Sequence, residues 1–420
     1  MMDLVRRLLG FSTLPFLSAV LPLLALPIVA RAGGVDGWSA FNVGQAIGTY
    51  AAAVGYVGWN VLGTPLVAAA KTKDERIRVY ARSFYVRAVS ALFIAAAASS
   101  LAYAVAPAPS RAVAVSFALA GAVSALGLSW FAIGISSIWV IIWYEIVPRA
   151  IATALAIALI LLTGDVLWYG ILLIVAPLAG LAAFHLVYCG RLIPPWLGWR
   201  QVSRDLFDLR SAWGVEVVGN LYANAPVPLV SVVSPVPAAA AYGSSDRLYR
   251  YSLLAVAAAG NALQGWVLEV DDDRRARRNT VGIILMTGLG IAGLAGLIVL
   301  GIPLSRLLFG AELEAQLPSL VWLGISFFAV AASTPLIRNV LMPARREKAV
   351  LAITLASAVL GLAAMVLASV VWGPPGVAAG LAVSELFTLI ACGIAARKCG
   401  LAVVDARLSS RNRSRGDGAS

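Results

Sequence analysis

The stretch SAWGVEVVGNLYANAPVPLVSVVSPVPAAAAYGSSDRLYRYSLLAVAAAGNALQGWVLE, residues 211–269, decides how the chain is interpreted. It contains two apolar segments, each long enough for a helix that crosses a membrane. In the first segment, Glu216, Asn220 and Asn224 recur every four residues, so they share one face of a helix. A polar face in an otherwise lipid-compatible helix indicates contact with protein or with a polar cavity rather than with lipid.

Charged residues open the second apolar segment. Asp246, Arg247 and Arg250 precede its apolar run. A charge at membrane depth costs about 2.5 to 3.5 kcal/mol on insertion scales, so such residues usually have a function. The two segments therefore predict a functional cavity, and we interpret the rest of the chain as the wall of that cavity.

The composition places the whole chain in a membrane. Of its 420 residues 61% are hydrophobic and 12% are charged, and the mean hydropathy is +0.89. The net charge of +12 is what Lys and Arg retained in cytoplasmic loops produce, so no nucleic acid partner is expected. The single histidine, the three scattered cysteines and the lack of a P-loop motif predict neither a metal site nor a cofactor.

Hydropathy predicts twelve spans of sufficient length. They lie near residues 9–31, 38–67, 84–106, 112–134, 140–163, 166–188, 213–235, 246–268, 281–308, 318–341, 349–372 and 376–396. If both termini are cytoplasmic, all but five of the 32 Lys and Arg residues face the cytoplasm. The five outward residues are Arg31, Arg111, Arg247, Arg250 and Arg306. This asymmetry predicts a multi-pass protein of the cytoplasmic (inner) membrane with both termini inside.

The two halves of the chain resemble each other. Each opens with a span interrupted by proline, and a constant offset of 201 residues pairs Gln45 with Asp246. We therefore predict an all-α membrane protein with twelve transmembrane helices in two six-helix lobes related by a parallel repeat, a plan that occurs in transporters. The lobes are residues 1–190 and 211–397, with a cytoplasmic linker at 191–210 and a disordered cytoplasmic tail at 398–420. The alternative is a chance alignment of spans rich in Ala, Gly and Val.

The arginines are candidate ligands for an anion. Arg247 and Arg250 share a helical face, and the opposite half could add Arg31 or Gln45. A guanidinium group binds two oxygens at once and stays charged, which suits a diphosphate. The alternative is that Arg247 and Arg250 extend to the outer headgroups and leave their charges in water.

Carboxylates within the spans are candidate ion-coupling groups. Glu216 has no local partner, and Asp246 and Glu385 lie in spans of their own, so each is a candidate for binding a proton or Na⁺. Glu145 and Arg149 are four residues apart near a predicted cytoplasmic helix end. We expect these two side chains to pair with each other.

Several stretches resemble Wzx-type polysaccharide flippases of the multidrug/oligosaccharidyl-lipid/polysaccharide exporter superfamily. They are LLGFSTLPFLSAVLPLLALPIVARAGGVDGWSAFNVGQAI, GLSWFAIGISSIWVIIWYEIVPRAIA, AYGSSDRLYRYSLLAVAAAGNALQGWVLE and WGPPGVAAGLAVSEL. The resemblance covers essentially the whole chain, although the turn after Arg31 reads GGVDGW instead of the commoner Leu-Gly form. It implies two six-helix lobes, alternating access and a cationic central cavity, to which Arg31, Arg247 and Arg250 could contribute.

The expected function follows from this resemblance. It implies that the protein moves polyprenyl-diphosphate-linked oligosaccharide from the inner to the outer leaflet, for cell-surface polysaccharide synthesis, without acting as an enzyme. Membrane lipids, a polysaccharide polymerase and glycosyltransferases are the expected partners. One alternative is a small-molecule antiporter of the same superfamily. The other is a membrane glycosyltransferase or polymerase, which would usually need a larger outer loop with placed carboxylates.

The charge asymmetry predicts which loops face outward. Cysteines introduced at Ser110 and Glu314 should react with an impermeant thiol reagent in intact cells, and cysteines at Thr72 and Arg346 should react only after the membrane is opened. Labelling of Thr72→Cys in intact cells would contradict the orientation.

Overall fold

A computed structural model describes the backbone of residues 2–268 and 272–416 and most side chains between Ala25 and Lys398. Within these ranges the secondary structure is helical and includes no strand. The α-helices are α1 (Met2–Gly55), α2 (Trp59–Ala69), α3 (Lys73–Val105), α4 (Arg111–Ser124), α5 (Ser129–Gly134), α6 (Ile138–Ile141), α7 (Val147–Thr163), α8 (Leu167–Phe184), α9 (Trp199–Asn224), α10 (Pro226–Val233), α11 (Val236–Leu268), α12 (Asp272–Phe309), α13 (Leu317–Pro335), α14 (Glu347–Trp372) and α15 (Pro374–Gly416). Short π-helical turns occupy Ile142–Ile146, His185–Cys189 and Leu336–Leu341.

Eight helical segments of the described part are long and apolar enough to cross a membrane. They are Lys73–Val105, Ala108–Gly134, Ile138–Thr163, Leu167–Cys189, Arg277–Phe309, Leu317–Leu341, Glu347–Trp372 and Pro374–Lys398. Each coincides with a predicted span, and large apolar side chains such as Leu162 and Val370 are exposed on them, as contact with lipid requires. The chain is therefore a multi-pass membrane protein, as predicted.

The other four predicted spans fall on helices that carry breaks or charges. Residues 9–31 and 38–67 lie in α1 and α2, residues 213–235 lie in α9 and α10, and residues 246–268 lie in α11. Twelve transmembrane helices in two lobes therefore remain a prediction.

Residues with positive φ, namely Gly34, Val57 and Gly58, set the two breaks near the start of the chain. At Gly34 the backbone adopts φ 57° and ψ −158°, which bends α1 between the first two predicted spans. Val57 and Gly58 have φ values of 51° and 77°, so α1 ends at Gly55 and α2 starts at Trp59. Glycine adopts such angles readily because it has no Cβ. The span predicted as one helix over 38–67 is thus two helices, because the local backbone leaves the helical region.

Contacts divide the chain into two compact units. The first unit comprises the chain up to Ser244 together with Ser305–Glu314, and the second comprises Ser245–Leu304 and the chain from Ala315 onward. Residues 211–244 therefore belong to the first unit, whereas the sequence analysis assigns them to the C-terminal lobe. Helix α15 continues to Gly416, through most of the tail that the sequence predicts to be disordered.

The predicted linker at 191–210 is anchored to the first unit. Tyr85 of α3 donates a hydrogen bond of 2.6 Å to the backbone oxygen of Pro194. Arg82, one turn earlier, forms an ion pair of 2.5 Å with Asp205 of α9, whose side chain is almost fully buried. These contacts explain why α9 is part of the first unit, because they hold its first half against α3.

Small residues bring α1 and α4 into backbone contact. A Cβ on Gly48 of α1 would lie 2.5 Å from the backbone oxygen of Phe117 of α4. A Cβ on Gly121 of α4 would overlap the backbone of Gly48 itself. Close approach of this kind is how helices with small residues pack in membranes. The crossing places the polar side chains near Gly48 and Gly121 next to each other.

A side chain added where α1 and α4 cross should make the protein less stable. Gly121→Ala should destabilise the protein by about 1–3 kcal/mol, because the added methyl group has no space. The matched control is Gly288→Ala in α12, where a Cβ would have no neighbour within 4 Å and where alanine is the better helix former. The measurement is the thermal stability of the purified variants in detergent. Equal stability of Gly121→Ala and the unmodified protein would show that the two helices do not cross as described.

Candidate functional site

Charged residues of the second unit gather on α11. Asp246 and Arg247 are 3% and 7% exposed, and Arg250 Nε lies 2.6 Å from Asp246 Oδ2. Tyr249, also buried, interacts electrostatically with Glu385 of α15 as well as with Asp246 and Arg250. We call these five residues the α11 cluster. The structure thus brings together Asp246, Arg247, Arg250 and Glu385, which the sequence selected on separate grounds.

The burial of Arg247 bears on the two interpretations of the arginines. An arginine that extends to the headgroups keeps its guanidinium group in water, whereas Arg247 is 7% exposed. Its position is eleven residues after Val236, the first residue of α11, which is about 16 Å along the helix. Tyr251, one turn later, hydrogen bonds to its side chain. Arg247 is therefore held within the protein, while the side chain of Arg250 is 31% exposed and paired with Asp246.

Asp246 retains hydrogen-bonding capacity. Its Oδ2 binds Arg250, but its Oδ1 is buried and has no partner among the described residues. A buried carboxylate oxygen without a partner is costly, and such groups often bind water, an ion or a proton. The α11 cluster thus contains two cations, two carboxylates and one oxygen that is free to accept a hydrogen bond.

The first unit contains a cavity of about 270 Å³ between α1, α4, α7 and α8. We call it the first-unit cavity. Its polar lining residues are Gln45, Thr49, Ser124, Arg149 and Tyr169. Its walls are otherwise apolar, with Leu26, Phe41, Phe117 and Leu173 among them. Of the predicted site residues only Gln45 lines this cavity, and the cavity was not anticipated from the sequence.

Arg149 is the one charged residue among those that line the first-unit cavity. The sequence predicts that it pairs with Glu145, and this prediction is wrong. The carboxylate of Glu145 accepts hydrogen bonds from the backbone nitrogen of Leu128 and from Ser129 Oγ, the latter at 2.7 Å. The physical reason is the π-helical turn at Ile142–Ile146, because the additional residue in a π turn removes the i, i+4 alignment.

The guanidinium group of Arg149 consequently has no ion pair or hydrogen bond to the residues that the structure describes. An arginine inside a predicted span could have indicated this site from the sequence. Because the sequence pattern paired Arg149 with Glu145, Arg149 was not considered as a cavity residue.

Arg87 of α3 is a second buried arginine that the sequence analysis did not select. It is 0% exposed, and its guanidinium group donates to the backbone oxygens of Ala125 and Gly127, both at 2.8 Å, and to Ser83 Oγ at 2.8 Å. The two carbonyls belong to the break between α4 and α5, where helix geometry leaves them without intrahelical partners. These carbonyls hold Arg87 inside the first unit, and its place among the cytoplasmic charges stays a prediction.

Arg31, Asn220 and Asn224 are not among the described residues that line this cavity. Arg31 is exposed and donates a hydrogen bond of 3.1 Å to the backbone oxygen of Leu307, in the last turn of α12, where a cation is favourable. Asn224 is buried at the end of α9, and its amide donates to the backbone oxygen of Asn220 at 3.0 Å. The side chain of Glu216 lies outside the described residues. A role for these four residues in binding or coupling remains a prediction.

Comparisons with known proteins identify the fold but no family. No family model matches the sequence, and no curated protein matches it. Solved structures do. The lipid II flippase MurJ in an inward closed conformation matches with a TM-score of 0.71 and 14% identity, over 92% of this chain and 87% of that one. An inward-facing multidrug resistance MATE family transporter of the MOP superfamily matches with a TM-score of 0.65 and 14% identity, over 91% and 94% of the chains. A MATE transporter of Vibrio cholerae matches with a TM-score of 0.56 and 16% identity, over 94% and 97%.

The chain therefore shares its fold with these solved structures. The matches extend over nearly the whole length of this chain and of each compared structure. The likeness therefore is not confined to one helical hairpin. At this level of identity the likeness describes the fold alone. The substrate has to be argued from the residues of this chain.

Proposed function

We propose that this protein is a transporter that flips polyprenyl-diphosphate-linked oligosaccharide from the inner to the outer leaflet of the cytoplasmic membrane. The observation that carries the proposal is Arg247, a guanidinium group held inside the protein on a predicted span. A charge in this position is retained only at a cost, which indicates a functional role. The fold shared with MurJ, a lipid II flippase, supports a lipid-linked substrate.

The two arginines of the α11 cluster have different proposed roles. Arg250 is partly neutralised by Asp246 at 2.6 Å, so its main effect is to hold that carboxylate in place. Arg247 is 7% exposed and is held within the protein, and its fork geometry fits the oxygens of a diphosphate. Arg247 is therefore the proposed anion ligand, and Arg250 the residue that holds Asp246.

The proposed mechanism requires no covalent chemistry. The diphosphate and sugars bind to polar groups of the protein while the prenyl chain stays in lipid, and the opening of the binding site alternates between the two sides of the membrane. Arg31, Gln45, Asn220 and Asn224 are further proposed contacts for the substrate. Glu216, Asp246 and Glu385 are the proposed groups for coupling to a proton or Na⁺ gradient, and the free Oδ1 of Asp246 suits that role.

The proposed setting is the synthesis of a cell-surface polysaccharide. Both termini would be cytoplasmic. A polysaccharide polymerase and glycosyltransferases would be the partner enzymes. The competing function is a small-molecule antiporter, since MATE transporters share the fold. A site for cationic compounds would favour carboxylates and aromatic faces, whereas the described residues that line the first-unit cavity include an arginine and no carboxylate. The charge of that lining favours an anionic substrate.

The proposal predicts different effects at the two arginines of the α11 cluster. Arg247→Lys should reduce polysaccharide export about tenfold or more, nearly as much as Arg247→Ala, because lysine keeps the charge but loses the bidentate fork. Arg250→Lys should retain most export, because lysine can still pair with Asp246. The measurement is surface polysaccharide in a flippase-deficient strain that expresses each variant at matched membrane levels.

Arg338→Lys is the matched control, because Arg338 is an arginine of the same unit that contacts Asn261 Oδ1 at an exposed position. Full export by Arg247→Lys would contradict the assignment of Arg247 as the diphosphate ligand.

A further inference from the structure

We propose that the first-unit cavity binds one phosphorylated sugar unit, with Arg149 as the ligand of the phosphate and Gln45 as the acceptor of a sugar hydroxyl. The proposal rests on the proposed function in one respect, namely that the transported lipid-linked saccharide supplies this unit. The site itself is argued from its own residues, which lie entirely in the first unit.

The charge of the cavity favours an anion. Arg149 is the charged member of the lining, and its guanidinium group has no ion pair or hydrogen bond to the described residues. Its nearest carboxylate in sequence, Glu145, is occupied by Leu128 and Ser129. An arginine presents five N–H donors, and phosphate oxygens match its planar fork. The arrangement therefore leaves one cation with its donors directed to no described protein acceptor.

Three further polar atoms of the cavity can accept hydrogen bonds from a ligand. The Oε1 atom of Gln45 is buried and has no hydrogen-bond partner among the described residues. Thr49 Oγ1 donates to the backbone oxygen of Gln45 at 2.7 Å, and Ser124 Oγ donates to that of Gly121 at 2.7 Å. Because both hydroxyl hydrogens are used within their own helices, these oxygens can only accept from a ligand. The ligand that fits must therefore combine a negative charge with hydroxyl donors.

The size and walls of the cavity limit the ligand further. A volume of about 270 Å³ lies just below the range of about 300 to 1,000 Å³ that is usual for small-molecule pockets, so it suits a ligand as small as one sugar unit. Phe117 packs edge-to-face against Phe41 and Tyr169, with ring centroids 4.7 and 5.5 Å apart. Aromatic and apolar walls with a few fixed polar groups are typical of small-molecule sites. The apolar face of a sugar ring can pack against such walls.

More than one kind of molecule carries both a phosphate group and hydroxyl groups. A lipid-linked saccharide provides it, and so does the glycerophosphate headgroup of a membrane lipid. The three acceptors, Gln45 Oε1, Thr49 Oγ1 and Ser124 Oγ, favour the ligand with more hydroxyl donors. A sugar phosphate should therefore bind more tightly than glycerol phosphate, and both should bind more tightly than inorganic phosphate.

The test is direct binding to the full-length purified protein in detergent, measured by saturation-transfer NMR and titration calorimetry. The probes are glucose 1-phosphate, glycerol 1-phosphate, inorganic phosphate and glucose. Glucose 1-phosphate should bind most tightly to the unmodified protein. Arg149→Ala should weaken it about tenfold to a hundredfold and remove its advantage over glucose, because charge-assisted hydrogen bonds are lost. Gln45→Leu should remove its advantage over inorganic phosphate.

The control is Arg78→Ala, since Arg78 is an exposed arginine of the same unit, and its binding should equal that of the unmodified protein. Arg149→Lys tests folding as well as geometry, because it keeps the charge while losing the fork, and it should bind the probe with intermediate affinity. Unchanged binding of glucose 1-phosphate by Arg149→Ala would overturn the proposal. Equal affinity of the unmodified protein for inorganic phosphate and glucose 1-phosphate would also overturn it.

The binding test and the export test can have different outcomes, so failure of the sugar-phosphate site can be distinguished from failure of the proposed function. Loss of probe binding in Arg149→Ala together with full export by Arg247→Lys would support the sugar-phosphate site and contradict the role of Arg247 in the proposed function. Unchanged probe binding in Arg149→Ala together with failed export by Arg247→Lys would contradict the site and leave the proposed function supported.

Discussion

A charged side chain inside a membrane-spanning helix has to be stabilised by other protein groups, because hydrocarbon offers it no hydrogen-bond partner. Three arginines, Arg87 and Arg149 on candidate spans and Arg247 on a predicted span, meet the constraint in different ways. Arg87 is satisfied by the backbone carbonyls at the break between α4 and α5, so it stabilises the structure. Arg247 is buried beside Asp246 and Tyr251. Arg149 lines a cavity without a described partner, so a ligand or water has to supply one.

The departures from regular helix explain how these arginines reach their positions. The π-helical turn at Ile142–Ile146 separates Glu145 from Arg149, which directs the carboxylate to the start of α5 and leaves the guanidinium group to the cavity. The crossing of Gly48 and Gly121 then brings Gln45, Thr49 and Ser124 to the same cavity. π turns are frequent at functional sites because they change the register of a helix without ending it. The polar lining of the first-unit cavity thus depends on one π turn and one glycine contact.

Hydropathy predicted the features that depend on composition. Eight spans were located correctly because a long apolar run has few alternatives to a transmembrane helix. The gathering of Asp246, Arg247 and Arg250 followed from spacing on one helix, although their approach to Glu385 required the tertiary structure. Two features could not be predicted from the sequence, because they depend on backbone geometry and on contacts between distant segments. They are the change of helical register before Arg149 and the hydrogen bonds of Arg87 to backbone carbonyls. Contacts between distant segments, such as the ion pair of Arg82 and Asp205, likewise place residues 211–244 in the first unit, and the predicted lobe boundaries stay a prediction.

The central claim is that the protein moves an anionic lipid-linked saccharide across the bilayer. The direct measurement uses proteoliposomes that contain a polyprenyl-diphosphate-linked sugar with a fluorescent label on the sugar, with proton and Na⁺ gradients imposed. An impermeant reductant added outside destroys only the label that it can reach. The account predicts that the protein makes the label of the inner leaflet accessible, and that a lipid-linked sugar without the diphosphate stays protected. Protection of the inner-leaflet label equal to that in protein-free vesicles, together with uptake of a cationic dye by the same proteoliposomes, would contradict it.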